Sequence, residues 1–320
     1  MQYRSVLAGL VLSVLAAMAV PAFAGPQELV SEEQARLVLS RSAATGEAAQ
    51  RVTELMNQTQ GLPEIASART PEALAAAIEA QALVIAAARG ELQAIHARLS
   101  ALAPISNSRS PVAVRTTDES VRLAAGAALR ADGILEAMQA VPPTVRAGDQ
   151  AGFNAAYSRV TSGLSVLQDI QAISLRNQAT QMEDGSSPQA QFLAMACYSE
   201  GQSALQAGLS GASDRPLAEQ KIGEAVTCIQ TQVAAGRAAL EQEPPSDPRF
   251  AALRARLNPI DARIFDELAA AAALLEDALE AMARGDSPAV MAARLNPRIF
   301  EIIRNIQDLS GQQQEIMADQ

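Results

Sequence analysis

Between prolines, glycines and helix-capping residues, the chain runs in long stretches where apolar residues return every three or four positions. The clearest stretch places Leu74, Ile78, Gln81, Ile85, Ala88, Leu92, Ile95, Leu99 and Leu102 at alternating steps of four and three. A 3.5-residue repeat of this kind is the seam of a coiled-coil-like bundle helix. Gln81 alone interrupts it with polarity. An amide in such a seam fixes register, or offers a ligand a polar contact. Phe153, Tyr157, Val160, Leu164 and Leu167 form a second stripe. Ile264, Leu268, Ala271, Leu275, Ala278 and Met282 form a third, and Leu295, Ile299, Ile302, Ile303, Ile306 and Leu309 a fourth.

Start signals divide these stretches. Thr70-Pro71, Ser187-Pro188, Asp247-Pro248 and Ser287-Pro288 each pair a capping residue with proline at the first helical position, and Asn258-Pro259 and Asn296-Pro297 repeat that chemistry. The pattern predicts helices over 27–60, 70–102, 117–141, 149–182, 188–211, 215–242, 259–284 and 297–316. Short helical turns over 248–257 and 288–295 precede the last two. The 70–102 helix would be roughly 50 Å long. The expected fold class is all-α, with long antiparallel helices in one elongated bundle or in two consecutive bundles. The division would run 25–141 and 149–316, with its boundary open between 141 and 187. Ala255-Arg256-Leu257-Asn258-Pro259 recurs as Ala293-Arg294-Leu295-Asn296-Pro297, each copy followed by Arg-Ile-Phe. The spacing to that tripeptide differs, so the plain expectation is that Asn-Pro recaps two bundle helices.

Cys197 and Cys228 are equidistant from the turn centred on Gly211-Ala212-Ser213-Asp214. In an antiparallel hairpin spanning 188–242, such residues stand side by side. Small residues favour close approach: Leu193, Cys197, Gly201, Ala204 and Gly208 on one helix, Ala225, Cys228, Ala235 and Ala239 on the other. A disulfide is therefore expected. The alternatives are two separate thiols or a redox pair, which is more often placed at a helix N-terminus.

Composition sharpens this picture chiefly by exclusion. Hydrophobic residues make up 49% of 320 residues but aromatics only 3%, with no Trp, one His and 68 Ala. Sugar-stacking or nucleobase-stacking surfaces lack their aromatic residues, and β-sandwiches their alternation of Val, Ile, Thr and aromatics. Residues 1–24 read as a signal peptide: Arg4, the apolar run Val6–Val20, then Ala22-Phe23-Ala24 before Gly25. Its removal leaves 24 basic and 35 acidic residues, a net charge of −11. That charge disfavours nucleic acid and anionic lipid as partners. No later stretch is apolar for long enough to predict an integral membrane segment. Arginine preference and abundant alanine fit a bacterial periplasmic or secreted protein.

Candidate chemistry is sparse. His96 flanks the heptad seam and has no nucleophile tied to it by motif. Asp266-Glu267 and Glu276-Asp277-Glu280 lack the Glu-x-x-His pairs of bundle di-metal sites. Met56, Met138, Met182, Met195, Met282, Met291 and Met317 are scattered as core filler. The expectation is no cofactor, no metal and no enzymatic activity. The first functional reading is an exported interaction or scaffold protein whose partner is another envelope or secreted protein. The second is a small-molecule-binding or sensing bundle, with Gln81 or the loop residues Arg109, Arg115 and Arg146 as polar contacts.

Overall fold

A computed structural model describes residues 32–60, 68, 70–107, 110–180, 182, 184–210, 214–242, 248–286 and 288–318. The signal-peptide reading of 1–24, Arg109 and the turn 211–213 lie outside them. The described residues form helices and connecting turns: α1 (Glu32–Gln60), α2 (Pro71–Ala80), α3 (Ala82–Ser100), α4 (Val112–Gln139), α5 (Val141–Arg146), α6 (Gln150–Ala179), α7 (Ser187–Ser210), α8 (Arg215–Leu240), α9 (Pro248–Arg284) and α10 (Pro288–Ala318). The all-α expectation holds, as does the disulfide in the hairpin.

Local chemistry sets many boundaries. Thr70 Oγ1 accepts from Ala73 N at 3.1 Å, with Pro71 opening α2. Asp149 caps α6 through Gly152 N, and Asp214 caps α8 through Leu217 N, both at 2.9 Å. After α5 the chain turns at Gly148, whose φ of 64° suits glycine. There Gly148 N donates to Val145 O and Asp149 N to Thr144 O.

The long later helices run antiparallel to their sequential neighbours, because paired positions fall on one helix as they rise on the next. Ser165 and Arg176 of α6 meet Ser203 and Glu200 of α7. Gln230 and Arg237 of α8 meet Glu276 and Asp266 of α9. Arg298 and Asn305 of α10 meet Asp277 and Glu267 of α9. The buried apolar residues gather into two cores, one from Ala48 to Leu167 and one from Ala190 to Leu309. The first core ends at Leu167, inside the 141–187 interval expected to hold the boundary. α6 supplies Phe153, Val160, Leu164 and Leu167 to it and packs α7 on another side.

Four expectations are corrected. The single helix over 70–102 is broken at Gln81, and α2 and α3 meet at a bend of 68°. The heptad residues on both sides stay buried, from Leu74 and Ile78 to Ile85, Leu92 and Leu99. Each half packs on a different partner, α2 on α5 and α3 on α4. The predicted turns at 248–257 and 288–295 are not separate, since α9 and α10 run straight through Pro259 and Pro297. Each proline forfeits one backbone bond. Burial of Ile260, Ile264 and Phe265 in α9, and of Leu295 and Ile299 in α10, sustains the helix across it. The predicted loop 141–148 contains α5, and α4 begins at Val112 rather than 117.

Candidate functional site

The α7–α8 hairpin is the most closely specified part of the molecule. Cys197 and Cys228 form the disulfide, with Cα atoms 6.0 Å apart. The small-residue seam explains the approach. A Cβ on Gly201 would lie 3.0 Å from Ala225 Cβ and 2.6 Å from Leu275 Cδ1; one on Gly208 would lie 2.7 Å from Ala218 Cβ. Ala235, read onto this seam, is exposed, and Leu193 is half-buried. The buried line on α8 passes instead through Gly236, where Phe265 of α9 occupies the space a side chain would need.

The two sulfurs have different surroundings. Cys197 is fully buried, whereas Cys228 is half-buried. Arg176 of α6 lies against Cys197, its Nη2 3.8 Å from Sγ, while Nε and Nη2 donate to Glu200 Oε1 and Oε2 at 2.9 and 2.8 Å. Glu200 in turn holds the guanidinium pKa above its ordinary value. None of the sequence signals identified Arg176, because it reaches the disulfide from a neighbouring helix.

Gln81 sits at the bend, half-exposed, as the last cap of α2 and the first of α3. Its N–H donates to Ile78 O and its carbonyl accepts from Ile85 N. It therefore marks the break rather than an inward rung of the seam. The outer face of the same helices is apolar too. Ala76, Ala80, Leu83, Ala87, Gly90, Ala94 and Ala97 recur at steps of four and three and are exposed, Leu83 by 88%. This second stripe is visible in the sequence, but the stronger inner seam masks it. It accounts for the near membrane-like hydropathy of α2 and α3 taken together. No single helix among the described residues is long and apolar enough to cross a membrane.

Beside this face, α1 and α3 enclose an open groove of about 480 Å³. Glu47, Glu54, Glu91, Arg51 and Arg98 line its walls over Ala94 and Ile95. Arg51 bridges Glu54 at 2.9 Å and Glu91 at 2.8 Å. The groove is charged and open, unlike an enclosed apolar ligand pocket.

Two carboxylates, Asp132 and Asp261, are buried without any motif in the sequence to mark them. Asp132 of α4 is held by Arg89 at 2.6 Å and Gln93 at 3.0 Å, both from α3. Asp261 of α9 accepts from Ser187 Oγ at 3.0 Å and from Gln313 Nε2 at 2.6 Å. Burial pushes the Asp261 pKa up, against the opposing pull of Gln313, Gln191, Ser187 and Arg254. Its partners lie 74 and 52 positions away, so no local motif announces it.

The other candidates resolve into structural ties. His96 Nδ1 donates to Ala125 O of α4 at 2.9 Å. Asp266 pairs with Arg237, Glu267 accepts from Asn305, Glu276 from Gln230, and Asp277 pairs with Arg298. Arg115 donates to Ser110 O, and Arg146 pairs with Glu79. They do not converge on one site. Among the described residues no cluster of His, Cys, Asp and Glu is arranged to hold a metal ion.

Fold and site thus define, among the described residues, a disulfide-stapled array of helices with an exposed apolar run along α3. Set against protein-family models, curated proteins and solved structures, the chain finds no match.

Proposed function

We propose that this is an exported, non-enzymatic interaction protein that docks a helix of another envelope or secreted protein on the outer face of α3. The exposed stripe around Leu83 carries the reading. Single apolar side chains on a surface are ordinary, but an exposed run of Leu83, Ala87, Gly90, Ala94 and Ala97 along one helix is the mark of an interface. Alanine and glycine at heptad spacing let a second helix approach closely. The chain is acidic overall, which favours a basic partner. The signal-like segment 1–24 and the disulfide support a periplasmic or secreted bacterial location, where thiols are oxidised.

The small-molecule reading draws its support from the α1–α3 groove. That groove is open, and its central guanidinium is already engaged by two carboxylates. Affinity capture from the periplasm, with wild type and Leu83→Asp side by side, separates the two. A stoichiometric partner retained by wild type and lost from a normally helical Leu83→Asp supports docking. Equal capture by both proteins overturns the face assignment. Metabolites that raise Tm with nothing co-purifying would favour the small-molecule reading.

A further inference from the structure

We infer that the Cys197–Cys228 disulfide is a site of directional thiol–disulfide exchange, attacked by an external thiol at Cys228 and releasing Cys197 as the leaving thiolate. The inference rests on an asymmetry within one bond. Cys228 Sγ belongs to a half-buried residue on α8, whereas Cys197 is 0% exposed. The exposed side of the pair therefore lies at Cys228, which directs an incoming thiolate to that residue rather than to Cys197. The buried sulfur is the one beside a cation, with Arg176 Nη2 3.8 Å from Cys197 Sγ. Exchange proceeds faster when the leaving thiol has a lower pKa, and a neighbouring guanidinium lowers it. Access and leaving-group stabilisation thus select the same polarity.

The step balances with a small thiol, or a partner's dithiol, as reductant. The thiolate's electron pair forms a bond to Cys228 Sγ. The Cys197–Cys228 bond breaks, and its electron pair stays on Cys197 Sγ opposite Arg176. A second thiolate then attacks the mixed disulfide at its external sulfur. Cys228 leaves as thiolate, both cysteines take protons from water, and the reductant departs as a disulfide. The staple between α7 and α8 is then open.

Arg176 is a positioning residue in this scheme, and its partner makes the test discriminating. Arg176→Gln and Glu200→Gln each delete the same ion pair between α6 and α7, yet only the first removes the cation beside Cys197. The mature chain is treated with reduced glutathione, quenched with iodoacetamide and mapped by mass spectrometry. The expected products carry glutathione on Cys228 and the carbamidomethyl group on Cys197, by at least roughly tenfold over the reverse. Arg176→Gln should slow exchange roughly three- to tenfold, Arg176→Lys should retain most of the rate, and Glu200→Gln should match or exceed wild type. Circular dichroism confirms that each variant is folded. Glutathione distributed evenly, or mainly on Cys197, overturns the polarity. Equal acceleration by both Gln variants would show that the ion pair merely closes the seam, and the inference fails.

Discussion

Asp261 and Asp118 are two carboxylates whose surroundings push them in opposite directions. Asp261 is 6% exposed, and burial raises its pKa above the ordinary aspartate value despite three hydrogen-bonding neighbours. The folded chain therefore holds this proton more tightly than the unfolded chain does. The stability it contributes is complete below the unfolded value near 4 and is lost as pH rises through the folded value. At Asp118 burial also acts upward. Donation from the Ser106 side chain and from the Ile105 and Ser106 backbone outweighs it, with Arg41 adding charge, and the pKa is lowered. Its contribution is present above pH 4 and fades as pH falls through the folded value. Asp261→Asn removes the charge and keeps an acceptor for Ser187, while the Gln313 amide turns its oxygen toward the new NH2. It should raise stability at pH 7 by about 1 kcal/mol, or roughly 2–4 °C in Tm. That advantage should shrink as pH approaches 4. Thermal unfolding of both proteins across pH 4–8 reads it directly, and a Tm difference independent of pH would exclude the buried charge as its cause.

Helix seams explain what the sequence made legible and what it hid. Cys197 and Cys228 were paired correctly because a hairpin relates positions symmetrically about its turn, and Gly201 and Gly208 marked the contact side. Gln81 was legible as an anomaly but not as a bend. It is neither proline nor glycine, and the bend arises because α2 and α3 pack on different partners. Pro259 and Pro297 misled in the opposite sense, since a local breaker was overridden by burial on both sides. Asp261 and Arg176 were invisible, because each acquires its role from residues on other helices. Gly236 falls in the same class. It reads as an ordinary glycine in an alanine-rich helix, yet a Cβ there would lie 1.9 Å from Phe265 Cζ. Phe265 is fully buried and cannot retreat into solvent. Gly236→Ala should therefore cost about 1–3 kcal/mol, against the modest gain alanine usually brings to a helix. Gly223→Ala, where a Cβ meets nothing within 4 Å, is the control and should be neutral or stabilising. Urea unfolding of the two variants compares them, and equal effects would mean that Phe265 repacks freely.

At the scale of the whole molecule, two apolar cores are joined through α6 and α7, and that junction mixes Ala172, Leu175, Ala179 and Ala196 with many buried amides and hydroxyls. α6 buries Gln168, Gln171, Ser174 and Gln178, while α7 buries Ser199, Gln202, Ser203 and Gln206. Across the pair Ser165 meets Ser203 at 2.8 Å, and Arg176 meets Glu200 at the rim. Among the described residues the Gln202 and Gln206 amides find no well-formed hydrogen bond, although Gln202 lies beside the Tyr198 hydroxyl. Burying amides this way costs free energy that an apolar seam would not. The junction should accordingly couple the two cores weakly, and we propose that they unfold in separate steps. The disulfide lies wholly on one side, closing a 31-residue separation within the second core. Replacing both cysteines with serine should destabilise that core by about 3–4 kcal/mol and leave the first untouched. Asp132→Ala removes the carboxylate shared by Arg89 and Gln93 in the first core, leaving Arg89 with Gln139 and Glu136, and should do the reverse, by about 1–3 kcal/mol. Calorimetry of the two variants should show two transitions, each variant lowering a different one. A single transition displaced as a unit by both would mean that the α6–α7 junction binds the cores as tightly as an apolar seam.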